Sequence, residues 1–184
     1  MLKNFLKRKI YSISIKKKKK EVTLYNYLAQ YANQLWHTDL KQFRDENNEL
    51  KYLIGFIDDR TRFIVHWEVL PNKTMALTAQ AVKNAVAKIK LCPHKVIMDN
   101  GTEFVGMDFQ QALADNGIGQ WRTLPYTPRQ NGKIERFWGT LFRSMIDGVP
   151  IIEQLPNQIE NYNQKWCHSE LKKIFGKPIT PLQE

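Results

Sequence analysis

Between residues 35 and 70 the sequence passes through three strand-like segments joined by connections of only a few residues, which limits the fold more than any other feature. Parallel neighbours need a crossover of a dozen or more residues, so strands this closely linked must form an antiparallel meander. In Leu35–Phe43 the side chains alternate, with Trp36 and Leu40 on one side and His37, Asp39 and Lys41 on the other. Arg44-Asp45-Glu46-Asn47-Asn48 reads as a turn. Residues 50–57 and 62–70 are the next strands, and a hairpin turn at Asp58-Asp59-Arg60-Thr61 accounts for both of its acids.

The pattern then changes period. Asn72 or Thr74 can cap a helix running to about Lys90, with Met75, Ala79, Val82, Val86 and Ile89 as its apolar stripe. Lys95–Met98 is a short buried strand ending at Asp99, followed by a helix over about 108–116 and a strand over about 118–124. Pro125 to Gly132 is a loop, since two prolines and a glycine oppose regular pairing. A helix over about 131–146 places Ile134, Trp138, Leu141 and Met145 on one stripe, with Glu135 about 100° off it at the rim. A further helix spans 151–166, and 176–181 is irregular. Trp121 and Trp138 are read as core. A meander followed by strand–helix alternation predicts an α/β fold, a mixed sheet flanked by helices.

The net charge of +10 is mostly local. Residues 1–20 hold nine cations and no acid, leaving 19 cations against 18 acids in the rest. A tail of that kind favours nucleic acid without sequence preference, or is a solvated leader or a nuclear-localisation-like run. The expected division is a basic tail at 1–20, a linker at 21–31, a core at 32–148 and a helical extension at 149–184. No run approaches the roughly 20 apolar residues of a spanning helix. The N-terminus also lacks the apolar run of a secretory signal, so an intracellular protein is expected, cytoplasmic in a bacterium or nuclear in a eukaryote. Cys92 and Cys167 are too few for a disulfide framework, and neither has a partner pair at zinc-finger spacing.

Three carboxylates stand apart by position. Asp39 interrupts a strand, where aspartate is disfavoured; Asp99 ends a buried strand; Glu135 opens a helix. Singly, Asp99 can be a turn former and Glu135 an acid favoured by the helix dipole. Brought together at one sheet edge, they can hold two Mg²⁺ ions roughly 3.5–4 Å apart for in-line phosphoryl displacement, and the cations relieve their repulsion. Glu103 is read as a helix-start acid. Asn100 and Gly101 are expected to shape the turn that aims Asp99.

Trp36-His37-Thr38-Asp39, Asp99-Asn100-Gly101-Thr102-Glu103-Phe104 and Asn131-Gly132-Lys133-Ile134-Glu135-Arg136, with 35 residues between Asp99 and Glu135, resemble the catalytic core of retroviral-type integrases and insertion-sequence transposases. Phe56 to Arg62, Pro125-Tyr126-Thr127-Pro128 and Tyr162-Asn163 with His168 add to the likeness, which covers about residues 32–181. The resemblance implies a ribonuclease H-like five-stranded mixed sheet, three strands antiparallel and then two parallel. It implies Asp39, Asp99 and Glu135 as catalytic metal ligands for two Mg²⁺ or Mn²⁺ ions. It further implies hydrolytic nicking at an element end and attack of the freed 3′-hydroxyl on target DNA, by a homo-oligomer on DNA. Asn131, Lys133, Arg136 and Arg129 are candidate DNA contacts, and Gly132 permits a mobile loop beside the cleft. Residues 1–30 match neither the zinc module nor the helix-turn-helix domain of such proteins, so the readings for end recognition are a separate reading frame, a truncated copy, or a fragment aided by other subunits such as a separate DNA-binding subunit. The alternatives are a DNA-binding or inactive relic of such an element, and a nuclease of the same fold.

Overall fold

The computed structural model describes residues 29–123, 131–166, 171, 180 and 181. The basic tail, most of the linker, the 125–130 loop with Arg129, Cys167, His168 and most of 176–181 lie outside the described residues. Five strands form one sheet: β1 (Leu35–Arg44), β2 (Leu50–Asp58), β3 (Ile64–Leu70), β4 (Lys95–Met98) and β5 (Gly119–Arg122), in the order β3-β2-β1-β4-β5. β1, β2 and β3 are antiparallel, while β1, β4 and β5 run parallel, as expected for a meander followed by crossovers. The helices are α1 (Met75–Ile89), α2 (Thr102–Val105), α3 (Met107–Asp115), α4 (Gly132–Arg143) and α5 (Ile151–Lys165).

The period-2 pattern of β1 decides which layer each side chain enters. Trp36 joins Ile54, Phe56, Val65, Ala81, Val82, Val96 and Phe109 in an apolar core beneath α1 and α3, with Leu40 packed against it. On the opposite face Phe43, Leu53, Ile57 and Ile64 meet Ile134, Phe137, Trp138 and Leu141 of α4 and Leu155, Ile159 and Tyr162 of α5. The polar side of β1 therefore faces α4, with His37 buried, Asp39 half-buried and Lys41 exposed. His37 and Thr38 are fully buried.

Several boundaries differ from the sequence expectation for local reasons. β3 begins at Ile64 instead of Arg62, because Arg62 adopts a left-handed backbone with φ 67° that a strand cannot continue through. Thr74 caps α1, its side chain accepting from the Leu77 N–H, and Lys90 closes the helix in the left-handed region. Met75 is exposed, while Thr78 and Ala85 face inward. α2, one turn long, precedes α3. α4 ends at Arg143, short of Ile146, since Gln154 of α5 holds the following loop by bonding Ile146 N–H and the carbonyls of Ile146 and Val149. The outer strand is bound in a similar way: Asn163 accepts from Ile64 N–H at 2.8 Å and donates to the Ile64 carbonyl at 3.2 Å.

Candidate active site

Strand register brings the first two carboxylates together. β1 and β4 run parallel, with Leu35 opposite Lys95, Trp36 opposite Val96 and His37 opposite Ile97. Continued by two residues, that register sets Asp39, midway along β1, level with Asp99, just past the end of β4, where the two strands have stopped pairing. α4 packs across β1 and β2 and contributes Glu135, which is exposed, as its offset from the buried stripe of Ile134, Phe137, Trp138 and Leu141 requires.

Asp39 is half-buried, and its Oδ2 accepts a 3.0 Å hydrogen bond from Nε1 of Trp138. Burial pushes its carboxyl up to about 6; the Leu40 N–H and Trp138 oppose that shift, while the charges of Asp99 and Glu135 add to it. All three acids thus act on one locality. Among the described residues, however, no group of three or more His, Cys, Asp or Glu side chains is gathered closely enough to hold a metal ion.

Two glycines make this arrangement possible. Gly55 lies opposite Asp39 in the β1–β2 register, and a Cβ there would stand 2.6 Å from Cη2 of Trp138. The bare backbone is what admits the indole that bonds Asp39. A Cβ on Gly101 would lie 2.9 Å from the Glu103 carboxyl carbon and 3.0 Å from Asp99 Oδ1. Asp99 Oδ1 also accepts the Gly101 N–H at 2.9 Å, and Asn100 donates to the Thr123 carbonyl beyond β5 at 2.9 Å. Asn100 and Gly101 shape the turn as expected. Glu103, in the first turn of α2, is buried next to it.

The remaining sequence candidates fall into two groups. Asn131 immediately precedes α4 and is buried, without a side-chain capping bond. Arg136 is exposed. Lys133 points instead into the protein, where its ammonium meets Oδ1 of Asp59. Asp58 is the turn former that its hairpin position suggests, its Oδ1 accepting from the N–H groups of Arg60 and Thr61 and the Thr61 hydroxyl. Its neighbour does something else: Asp59 Oδ1 also bonds His37 Nε2 at 2.6 Å, and its Oδ2 accepts the Ala29 N–H at 2.9 Å. Burial raises the Asp59 carboxyl, but the His37 and Lys133 bonds outweigh it and hold the group well below the usual carboxylate range. Burial, helped by the charge of Arg62, lowers Lys133 to about 8. Burial also lowers His37, so the ring is neutral and donates from Nε2. Neither the Asp59 pairing nor the Trp138 bond was foreseen; two consecutive acids in a turn that uses one, and an indole N–H on a buried stripe, were the available signals.

Among the described residues no helix is long and apolar enough to cross a membrane. A transposase-like protein of Haemophilus influenzae is 25% identical over 154 residues, covering 83% of this chain and 69% of that protein. The transposase InsD of Escherichia coli insertion element IS2 is 26% identical over 152 residues, covering 76% of this chain and 50% of its own length. The HTLV-2 integrase catalytic core domain, solved in complex with magnesium, superposes with a TM-score of 0.66 at 19% identity, covering 84% of this chain and 97% of that one. A simian T-cell lymphotropic virus intasome gives a TM-score of 0.72 at 20% identity over 85% of this chain and 55% of that one. These likenesses identify the sheet as the ribonuclease H-like sheet of integrase cores. The integrase core domain model matches residues 29–128, a span that contains Asp39 and Asp99 and more than half of the sequence. The chain therefore belongs to the integrase core domain family.

Proposed function

We propose that this chain cuts and joins DNA strands by metal-dependent phosphoryl transfer, with Asp39, Asp99 and Glu135 as the ligands of two Mg²⁺ or Mn²⁺ ions. The observation that carries this reading is the β1–β4 register, which sets Asp39 level with Asp99; burial pushes the Asp39 carboxyl up to about 6, and the nearby charges of Asp99 and Glu135 add to the shift. An all-carboxylate donor set suits hard cations that retain several waters, and cations would relieve the crowding. When bound, such ions activate the attacking oxygen and stabilise the leaving one.

The chain's own part is placement and exclusion. Trp138 fixes one oxygen of Asp39, while Gly101 holds Asp99 Oδ1 by its N–H. Glu135 projects from the first turn of α4, where small movements of that helix would adjust its reach. Arg136, exposed beside it, is proposed to contact DNA phosphates together with Asn131 and Arg129. Lys133, a further candidate from the same motif, has its ammonium engaged by Asp59 and is left out of that set. DNA as substrate, and assembly as a homo-oligomer on it with a separate end-recognising subunit, complete the proposal.

The test is a gel assay for nicking and joining of short DNA duplexes with Mg²⁺ or Mn²⁺. Wild-type protein is expected to be active, and Asp39→Asn, Asp99→Asn and Glu135→Gln to be inactive while remaining folded. Full activity in Glu135→Gln, with the same metal requirement, would overturn the assignment.

A further inference from the structure

One carboxylate ties together the elements that carry two of the proposed ligands. Asp59 is essentially inaccessible, its side chain 1% exposed, and its two oxygens receive three donors from separate parts of the chain. His37, two residues before Asp39 on β1, bonds Oδ1; Lys133, two residues before Glu135 on α4, bonds the same oxygen; Ala29, at the entry to β1, bonds Oδ2. The first turn of α4 has no side-chain cap of its own, because Asn131 makes no capping bond. At 100° per residue Lys133 and Glu135 point to nearly opposite sides of the helix, so a tether on Lys133 holds the turn without obstructing Glu135. Five residues after Lys133, Trp138 donates to Asp39. Glu135 is thus bracketed by two polar anchors, one to the end of β2 and one to β1.

Energetics alone do not require such a device. Removing two charges from water costs several kcal/mol per ion, and well-packed apolar replacements are often as stable. What the ionic contact adds is direction. Apolar packing tolerates a helix rotating or sliding by a fraction of an ångström, whereas a buried carboxylate with three donors does not.

We propose that Asp59 is a positioning residue which, through Lys133 and His37, sets the placement of Glu135 on α4 relative to Asp39 on β1. This rests on the three-carboxylate reading above, and the test keeps the two separable. In the full chain labelled with ¹⁵N, the Trp138 indole resonance, assigned with Trp138→Phe, reports the Asp39 side of the site during a Mg²⁺ titration without any need for turnover. Asp59→Asn, Lys133→Met, Lys133→Arg and Asp39→Asn are compared by that titration and by kcat and KM for nicking a short duplex. Outer partners of metal ligands typically alter metal affinity or activity by about 10–100-fold. Asp59→Asn and Lys133→Met are therefore expected to need about tenfold more Mg²⁺ and to lose kcat by a similar factor, with KM for the duplex unchanged and Lys133→Arg largely restored.

A wild-type Mg²⁺ midpoint and kcat in Lys133→Met would overturn the inference, and that variant carries the test if Asp59→Asn does not fold. A raised KM in Lys133→Met, with Asp59→Asn kinetically normal, would also overturn it by making the lysine a DNA contact. Retained activity in Asp39→Asn would instead remove the underlying reading of the site.

Discussion

Each face of the sheet buries an apolar cluster, and the two faces differ in what they bury with it. Beneath α1 and α3 the core is Trp36, Ile54, Phe56, Val82, Phe104 and Phe109, almost wholly apolar. Beneath α4 and α5 a second buried cluster, with Leu53, Ile57, Phe137, Trp138 and Leu155, adjoins His37, Asp59, Lys133 and Asp39. The first face can be read as pure packing, with a cost for any missing volume. The second also specifies direction, since each buried polar group must meet a partner and the partners constrain helix against strand. Purely apolar packing and directed polar contacts are thus largely assigned to opposite sides of one sheet, and substitutions on the two sides should fail in different ways.

The largest expected effect is on the packing face. Phe109→Ala, at a fully buried position, should lose about 3–5 kcal/mol of stability in chemical denaturation, yet leave the Trp138 indole resonance in place in the fraction that folds. A displaced indole would mean that the two faces are not independent. Next, Gly55→Ala puts a methyl 2.6 Å from a buried ring and should cost about 1–3 kcal/mol. Unlike Phe109→Ala it should shift the indole resonance by breaking the bond to Asp39. An unshifted resonance would show that the ring has room to spare.

The smallest effect has the opposite sign. The Asp39 carboxyl titrates at about 6 against an ordinary 3.8, so the folded state accommodates the neutral form better. The associated stability is fully present below about 3.8 and lost as pH rises through about 6. Asp39→Asn should therefore be more stable than wild type by about 1–2 kcal/mol at pH 7.5 without metal, a figure reduced for partial solvent screening. That advantage should shrink as pH is lowered towards 4. Paired denaturation curves at pH 7.5 and pH 4.5 measure it, and an equal gap at both would remove the electrostatic account of Asp39.

How far the sequence discloses each feature depends on the range of the interaction behind it. The strands and α1 were legible because alternation and a 3.6-residue stripe are repeated many times over. Asp39 and Asp99 were legible because each breaks a local preference. α2 was invisible, since a single turn offers no period. The end of α4 was read three residues too far because Gln154, from another helix, holds Ile146 and Val149. Lys133 and Arg136 look alike in the sequence, yet one is drawn inward by an acid 74 residues earlier and the other is exposed. Asp58 obeyed turn chemistry, whereas Asp59 did not need to: its partners come from β1 and α4, which no local window contains. Trp138 was read correctly as interior, but an interior indole still has a proton to place.

The side-chain amide of Asn163 covers the backbone of the outermost strand where it begins. By presenting one acceptor and one donor to Ile64 it imitates, for a single residue, the strand that would otherwise come next. An outermost strand with idle backbone groups invites a foreign chain to join it, the usual start of unwanted fibrous association. Here α5 occupies that opening at the point where β3 begins, so loosening the helix would bare an adhesive margin as well as weaken the fold.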